Sequence, residues 1–219
     1  MSSTPDSSSV IDRDTSRPAP LFVGDHLALD FLNSIASPKG TPVDWLRNGQ
    51  DLIDWLSSAG ILTPAEGIRL AAQWDLTELD AVAREAVELR EWFRRVVVRA
   101  KQSGPAALTS DDLAHINTVL ARNVSVRRIE PTEDGAGRFS IVERRLWTHP
   151  RELLAPLGTA IADLISNGDF NLIRRCENPP CTVWFYDRTK GHRRRWCSQS
   201  TCGNRAKVAA FRLRKRLAR

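Results

Sequence analysis

The chain has 219 residues, 42% of them hydrophobic, with 32 basic and 26 acidic side chains and a net charge of +6. No segment of the sequence is long and apolar enough to cross a membrane, so we expect no membrane partner. The charge is unevenly distributed: residues 174–219 have a net charge of +12, whereas residues 1–173 have a net charge of −6. A basic segment of this density suits a nucleic-acid phosphate backbone, and the acidic remainder of the chain discourages such binding along its own surface.

Residues 1–20 are predicted to be a flexible leader, because they contain six Ser, three Pro and hardly any large apolar side chain. Folding is expected to begin near Leu21 and to give one helix-rich domain that ends at residue 169. Three helices are predicted before Asp75. Their signals are, in order, Thr41-Pro42 ahead of Trp45 and Leu46, the apolar run Leu52 to Leu56 stopped by Gly60, and the capping box Thr63-Pro64-Ala65-Glu66.

A long helix is predicted from Thr77 to Gln102, where Gly104-Pro105 ends it. Its apolar residues recur at helical spacing and mark a core face: Leu79, Val82, Ala86, Leu89, Phe93 and Val97. A further helix is predicted over Thr109 to Ala121. The five Trp residues of the domain are expected in its core, with an apolar pocket as the alternative: Trp45, Trp55, Trp74, Trp92 and Trp147.

The periodicity then changes from helix to strand. Val124 to Glu130 and Arg138 to Trp147 are rich in β-prone residues and are separated by a Gly-rich turn, which predicts a β-hairpin. Helix is predicted to resume after His149-Pro150 and to run to Ser166, and Phe170 to Ile173 is expected to be a strand. The fold class that we predict is therefore α+β, a helix-rich domain with a β-hairpin over residues 21–169, followed by a small module over residues 170–219.

The four cysteines lie in two pairs of equal spacing, Cys176 with Cys181 and Cys197 with Cys202. A structural zinc site takes four ligands in a tetrahedron, and turns of this length let two thiolates reach one ion. The alternatives are two disulfides, which need an oxidising compartment, and a redox pair, which usually has two intervening residues. Because the sequence begins without an apolar signal-peptide run, we predict one structural zinc ion.

The residues around the cysteines predict the architecture of this module. Val183 to Tyr186 and His192 to Trp196 flank a turn at Lys190-Gly191, so a β-hairpin is expected between the pairs. A helix is expected after Cys202, with an apolar stripe that packs on the hairpin: Ala206, Ala210, Leu213 and Leu217. A knuckle, a hairpin and a helix whose first turn carries the last ligand is the order of a treble-clef zinc finger. Four aromatic residues of the module are expected in its core, with stacking on bases as the alternative: Trp184, Phe185, Tyr186 and Trp196.

Two motifs in the sequence resemble those of known families. Cys202-Gly203-Asn204-Arg205, closing a four-cysteine set, resembles the signature of the CGNR zinc finger proteins. Residues 21–167 resemble the partner domain of that family, called ABATE, through Gly24-Asp25 and the segment Leu27 to Ser34. The resemblance implies a bacterial, stress-related transcription regulator, with a treble-clef finger for DNA and an N-terminal domain that senses a small ligand.

Two sets of basic residues are predicted to contact the nucleic acid. One set, Arg193, Arg194 and Arg195, lies on the expected return strand. The other shares one face of the C-terminal helix: Arg205, Arg212, Arg216 and Arg219. Phosphate contact is our prediction, and a solvated charged surface is the alternative. Asn204 and Arg205 could instead read base edges or brace the finger beside the metal.

The larger domain contains no recognisable catalytic set, since HExxH, a glycine-rich phosphate loop and a nucleophile elbow are all missing from the sequence. We therefore expect a protein that is not an enzyme. Asp25, His26 and Asp30 are close enough in sequence to hold a metal or a ligand, although a lone His near apolar residues is usually structural. The resemblance places a candidate small-molecule site near Asp30 and Asn33.

Two functions from different classes stay open. In the first, the protein is a zinc-dependent regulator that binds duplex DNA in the cytoplasm, at the nucleoid, and responds to a small molecule or a stress signal. In the second, the basic module binds RNA or a protein and the larger domain performs an unrecognised reaction. Because one finger offers few base contacts, specific DNA binding favours a homodimer.

Overall fold

The structure, a computed structural model, describes residues 17–104, 107–132 and 137–217. Most of the predicted leader and the turn of the predicted hairpin at 133–136 lie outside these residues. The elements are α1 (Leu27–Leu32), β1 (Ile35–Ala36), β2 (Val43–Asp44), α2 (Gly49–Ser58), α3 (Pro64–Gln73), α4 (Leu76–Ser103), α5 (Ser110–Leu120), β3 (Ser125–Pro131), β4 (Phe139–Arg145), α6 (Ala155–Asn167), β5 (Ile173–Arg175), β6 (Trp184–Tyr186) and α7 (Asn204–Leu217). The strands pair in order as three antiparallel two-stranded sheets.

Local signals in the sequence account for most helix boundaries. The capping box of α3 is present, because Thr63 accepts from the amide of Glu66 while the Glu66 side chain returns to the Thr63 backbone. Asp75 caps the start of α4, and the helix ends at Gly104, whose φ of 79° is the left-handed conformation that glycine adopts without strain. None of the described helices combines the length and the apolar composition that a membrane span requires.

The core of the larger domain, residues 21–169, forms around α4. This helix packs against α2 and α1, and α6 packs against α1 and α5. All six positions predicted as the core face of α4 are buried, and so are Trp45, Trp55 and Trp147. Trp74 and Trp92 are partly buried against the same cluster. The helix-rich α+β class is confirmed.

The helix predicted around Trp45 and Leu46 is wrong. Val43 and Asp44 form β2 and pair with β1, while the Trp45 amide donates to the Ser34 carbonyl at 2.8 Å. The carboxylate of Asp44 binds the buried guanidinium of Arg90 at 3.0 and 3.1 Å. This long-range ion pair with α4 holds the segment extended against its local helix signals.

The hairpin predicted between the cysteine pairs is also wrong. β6 pairs with β5, which precedes the first cysteine, and residues 192–196 form no strand. The amide of Arg194 donates to the Asp187 carboxylate at 2.9 Å, and the Arg195 carbonyl accepts from Glu177. Because these groups are used by other partners, the segment cannot form a ladder with β6.

Helix α7 does not pack on the β5–β6 hairpin as expected. None of its residues is buried, and Leu213 and Leu217 are 59% and 80% exposed. The apolar residues of the hairpin, Val183 and Phe185, are fully buried because β6 packs on α1. One face of Phe185 is also covered by the guanidinium of Arg194, 4.2 Å from the ring centroid. The fully buried apolar side chains of the hairpin are therefore covered by α1 and Arg194, and not by α7.

The hairpin is joined to the larger domain by hydrogen bonds as well as by packing. The side chain of Asn33 makes two bonds of 2.8 Å to the backbone of Trp184, one to its carbonyl and one from its amide. Tyr186 donates its amide to the Gly24 carbonyl, and Lys101 at the end of α4 donates to the Ile173 carbonyl at 2.6 Å. The first half of the cysteine module thus shares the core of the larger domain.

Candidate metal centre

Three local structures carry the four cysteines to one point. Cys176 and Cys181 lie in the β5–β6 turn, which is closed by the bond from the Cys176 amide to the Val183 carbonyl. Cys197 ends the irregular segment after β6. Cys202 lies in a π-helical turn, Gln199–Gly203, that runs directly into α7.

The four sulfur atoms all lie within 4.8 Å of one another. The Cys181 and Cys197 sulfurs are 3.8 Å apart, and those of Cys197 and Cys202 are 3.6 Å apart. Zinc–sulfur bonds of about 2.3 Å in a tetrahedron require sulfur–sulfur distances of about 3.8 Å, which these values match. All four thiols are buried and none is in a disulfide. The four-sulfur cluster therefore fits one zinc ion, and the disulfide and two-sulfur redox interpretations do not explain it.

Crowding changes the acidity of these thiols. The hydrogen bond from Cys197 lowers the pKa of Cys181 to about 5. The pKa of Cys197 is raised by its bond to Cys181 and by burial, and burial raises the pKa of Cys176. Four negative charges cannot share so small a volume without a cation. Zinc supplies that cation and binds the thiolate forms, so metal binding releases the remaining protons.

Asn204 and Arg205 both make contacts that brace the metal site. Arg205 donates to the Cys202 sulfur at 3.3 Å, which places a positive charge beside the thiolate cluster. Asn204 donates its side-chain amide to the Ser200 carbonyl at 2.9 Å and so ties α7 to the π-helical turn. These bonds correspond to the bracing interpretation of the two residues.

Arg194 is not available for phosphate contact. Its guanidinium binds the Asp25 carboxylate, the Val23 carbonyl at 3.0 Å and the Cys197 carbonyl at 2.5 Å. These bonds fix the segment that carries Cys197 to the larger domain. Arg194 therefore holds the finger to the larger domain, in contrast to the phosphate contact predicted for it.

The remaining predicted basic residues lie at the surface. Arg195 is exposed, although it pairs with Glu177 at 2.6 Å and lies over the Trp196 ring. Arg193, Arg212 and Arg216 are exposed, and Arg219 lies outside the described residues. Of the four aromatic residues predicted in the core of the module, Phe185 is fully buried, while Trp184, Tyr186 and Trp196 are partly buried against the core. Their placement follows the core interpretation.

Asp30 and Asn33 are structural residues of α1 and its C-terminus and do not form an open ligand site. Asn33 is 1% exposed, and both polar atoms of its side chain bind Trp184. Asp30 accepts from the Gly24 amide at 2.7 Å, and burial raises the pKa of its carboxyl to about 6. A side chain on Gly24 would lie 2.9 Å from the Asp30 amide, so the Gly24-Asp25 motif serves this close backbone approach.

His26 is placed as a structural histidine. Its Nδ1 accepts from the Ala28 amide at 3.2 Å and caps α1, and its Nε2 lies 3.2 Å from the Asp163 carboxylate. Asp25 and Asp30 are used by Arg194 and Gly24 respectively. Within residues 17–104, 107–132 and 137–217, the four cysteines form the one group of three or more metal-binding side chains close enough to share an ion.

Sequence reasoning missed Asp187, which organises the segment between the cysteine pairs. It is fully buried and accepts from the Thr189 hydroxyl and from the amides of Thr189 and Arg194. Those bonds and the nearby Arg174 keep the pKa of its carboxyl below the ordinary value against the opposing effect of burial. One signal was present in the sequence, because Asp187 is one of only two acidic residues in the basic segment 174–219.

Comparison with protein families agrees with this organisation. Residues 25–168 match the model of the ABATE family, described as "Putative stress-induced transcription regulator". Residues 173–215 match the model of the CGNR zinc finger, which spans all four cysteines and the basic part of α7. No curated protein matches the chain significantly. The chain therefore belongs to the ABATE family, and its C-terminal segment is a CGNR zinc finger with four cysteines that hold one structural zinc ion.

Proposed function

We propose that the protein is a transcription regulator that binds duplex DNA through α7. The observation that carries the proposal is the state of this helix, which has six basic residues, no acidic residue and no buried residue. Because α7 buries no side chain, interactions other than core packing must hold it in place. Here the zinc site holds its first turn through Cys202 and the adjacent Arg205.

The shape and charge of α7 suit the major groove of DNA. An exposed helix of 14 residues is about 21 Å long and fits a groove about 12 Å wide. Arg212 and Arg216 lie on one face at a spacing of four residues, which places both guanidinium groups towards one strand. Arg193, on the segment before Cys197, adds an exposed cation to the same module. This arrangement supports phosphate contacts first, with base contacts from the same helix.

In this proposal the larger domain is a sensor and is not an enzyme. It responds to a small molecule or a stress signal and changes how the finger is held. Support comes from the direct bonds between the two parts, in which Asp25 holds Arg194 and Asn33 holds Trp184. A DNA partner would place the protein in the bacterial cytoplasm, at the nucleoid. The treble-clef assignment of the finger is also part of this proposal.

RNA or a protein is the second candidate partner of the finger. Its specific support is the apolar surface of α7, where Phe211 is 60% and Leu217 is 80% exposed. Duplex DNA gives such side chains few contacts, whereas a protein groove or unstacked bases would cover them. The following experiment separates these partners.

The test is a titration of fluorescent duplex DNA with the zinc-loaded full chain at several salt concentrations. If the six basic residues of α7 neutralise about six phosphates, the logarithm of the binding constant falls with the logarithm of salt concentration at a slope of about −5. Arg212→Glu with Arg216→Glu should weaken binding by about a hundredfold or more and flatten the slope, with zinc content unchanged.

The matched control is Arg84→Glu with Arg95→Glu, which makes the same charge change on exposed residues of α4. It should leave the slope within about one unit of the wild-type value. A flat wild-type slope, or equal losses in both double variants, would overturn duplex binding through α7. Selection from random duplexes with a single-stranded RNA competitor then decides between DNA and RNA.

A further inference from the structure

An open cleft of about 940 Å³ lies where the larger domain meets the zinc module. Its walls come from α1, the turn after α2, the end of β4, and α6, and the zinc module contributes Arg188. Apolar side chains of Leu27, Ile61 and Pro156 form part of the lining. The predicted ligand residues Asp30 and Asn33 are not among its lining residues.

Arg145 in this cleft differs from the other partly buried arginines of the described residues. Each of the others holds an anionic partner, a carboxylate or, for Arg205, the Cys202 sulfur: Arg17, Arg90, Arg94, Arg99, Arg122, Arg174, Arg194 and Arg205. Arg145 donates Nε to the neutral amide oxygen of Asn123 at 3.0 Å and lies over the Trp147 ring. Its charge is partly desolvated: burial, the larger effect, lowers its pKa, and the nearby carboxylate of Glu143 raises it without forming an ion pair with it. A cation in this state gains most from an incoming anion.

A second guanidinium in the cleft also has no ion pair among the described residues. Arg188 rests over the Tyr186 ring, 5.5 Å from its centroid. Of the two carboxylates of the cleft, Asp25 is ion-paired with Arg194, whereas Asp163 has only His26 and Asn167 within hydrogen-bond distance. Burial lowers the pKa of His26, so its ring is neutral at pH 7. Two guanidinium groups, Arg145 and Arg188, therefore face one carboxylate that is not ion-paired, Asp163, which Arg188 attracts. The net charge of these groups is positive.

We propose that this cleft binds a small organic anion, whose carboxylate or phosphate group is held by Arg145 and Arg188 and whose apolar part lies on Leu27, Ile61 and Pro156. The inference deepens the proposed function, because it assigns the chemistry of the signal that the larger domain senses. Planar guanidinium groups bind both kinds of oxyanion in a bidentate manner.

A bound anion would act on the zinc module through adjacent residues. Arg188 directly follows Asp187, whose carboxylate holds the amide of Arg194, and Arg194 in turn binds the Cys197 carbonyl. Asp25 lines the cleft and pairs with the same Arg194. An anion that joins Arg188 to Arg145 therefore links β4 to the segment that positions the third cysteine. In this proposal the anion changes DNA affinity because it binds more tightly to one position of the segment that carries Cys197 than to another.

Calorimetry on the zinc-loaded full chain, without DNA, tests the site with four probes: inorganic phosphate, phenyl phosphate, benzoate and the cation benzylamine. At least one of the two aromatic anions should bind at one site per chain, and benzylamine should not. The better of the two identifies the head group. Arg145→Gln and Arg188→Gln should each weaken binding about tenfold or more, and Arg145→Lys should retain part of it.

Two controls separate the cleft from the basic finger. Arg84→Gln and Lys190→Gln remove exposed charges outside the cleft and should leave anion affinity unchanged, and so should the Arg212→Glu with Arg216→Glu variant. The proposal is overturned if neither phenyl phosphate nor benzoate binds at millimolar concentration. It is also overturned if Arg145→Gln and Arg188→Gln both leave the anion affinity unchanged. Because these titrations contain no DNA, their failure is distinct from failure of the DNA titration.

A second inference rests on the β3–β4 hairpin, one face of which is uncovered. Ile129 and Ile141 are cross-strand partners, 73% and 72% exposed, and Phe139, 70% exposed, pairs with Pro131. The next pair on this face is Arg127 with Glu143, which have opposite charges. Two-stranded ribbons are marginally stable in water, so this face favours a partner.

Because Arg127 and Glu143 lie opposite each other on this face, the face is charge-complementary to a second copy of itself. A two-fold axis parallel to the strands places β3 of one hairpin over β4 of the other. Ile129 then faces the partner's Ile141, and Arg127 faces the partner's Glu143, twice by symmetry. We infer that the protein forms a homodimer through this face, which also gives the proposed regulator two fingers.

Sedimentation at several protein concentrations tests the dimer. The single variants Arg127→Glu and Glu143→Arg should each be monomeric, because the homodimer of either variant would place like charges at positions 127 and 143 opposite one another. A mixture of the two variants should dimerise, because the heterodimer restores both charge pairs. Dimers in each single variant, a mixture that stays monomeric, or a monomeric wild type would each overturn this interface. Recovery on mixing also shows that the variants are folded.

Discussion

At the residue scale, buried charged groups of the larger domain and the zinc module set the geometry of the metal site. Asp187 fixes the backbone at Thr189 and Arg194, and Arg194 fixes Cys197 to the larger domain. Each is satisfied by several partners, as buried ionic groups must be. Asp187 is outside the set of residues predicted to contact nucleic acid, and Arg194, which belongs to that set, is held by internal bonds. Their contribution to function is to position other residues, Cys197 in particular.

Asp30 gives a pH dependence that can be measured. Burial raises the pKa of its carboxyl from 3.8 to about 6, against the hydrogen bonds from Gly24 and Val23. The group therefore stabilises the fold most when it is protonated, below pH 4, and this contribution is lost as the pH rises through about 6. Relative to Asp30→Asn, the wild type should lose up to about 3 kcal/mol of unfolding free energy across this window.

Urea unfolding of both proteins at several pH values measures this difference. The difference should be constant above about pH 7, where the carboxyl is ionised in both states. An unchanged difference between pH 4 and pH 7 would contradict the raised pKa. Other carboxyls such as Asp51 have lowered pKa values and act in the opposite direction, so only the comparison with the variant is informative.

At the element scale, the two halves of the zinc module depend on different sources of stability. The β5–β6 hairpin packs on α1, with Val183 and Phe185 fully buried. Helix α7 buries nothing and contacts mainly the π-helical turn that contains Cys202. The metal is therefore needed for the segment after β6 more than for the hairpin itself.

Cys197→Ser tests this division. The loss of one of four ligands should remove zinc, and residues 187–217 should then lose protection from hydrogen exchange. Residues 173–175 and 184–186 should stay protected, because their packing on α1 does not require the ion. Metal analysis and hydrogen exchange by mass spectrometry measure both outcomes. Ser198→Ala, which leaves all four sulfurs, is the control and should retain zinc. Full protection of α7 without metal would contradict this account.

At the scale of the whole molecule, the larger domain and the zinc module share one core. Residues from α1, α4, α6, β5 and β6 belong to the same buried cluster as the four cysteines. Asn33 joins the two parts with two bonds to the Trp184 backbone. The two parts are therefore joined by direct contacts, through which a signal would pass in the proposed function.

Asn33→Ala should destabilise both parts together. It leaves the partly buried amide and carbonyl of Trp184 without their Asn33 partners, at a cost of about 2 kcal/mol or more. For a chain of this size, each kcal/mol lowers the unfolding temperature by about 2–4 °C. Helicity followed by circular dichroism and zinc release followed with a chelating dye should shift by the same amount. Asn171→Ala, at an exposed residue of the larger domain's boundary, should shift neither. Separate transitions for helicity and zinc release would contradict a shared core.

The sequence by itself determined those features that arise from local chemistry. Capping residues and helical spacing set α3, α4 and α5, and the spacing of the four cysteines predicted the zinc site, since its ligands lie in short turns. The residues of the CGNR motif also predicted the family. These inferences needed only neighbours in the chain.

Only the tertiary structure decided which surfaces meet. The pairing of β6 with β5, the extended β2 held by Arg90, and the commitment of Arg194 and Asn33 to internal bonds all join residues far apart in sequence. An arginine or asparagine side chain can be either exposed or buried, and which of the two occurs depends on partners that are distant in the sequence. For this reason the basic residues on one face of the C-terminal helix could be predicted from the sequence. The exposure of the whole of α7 and the placement of Arg145 and Arg188 in one cleft could not.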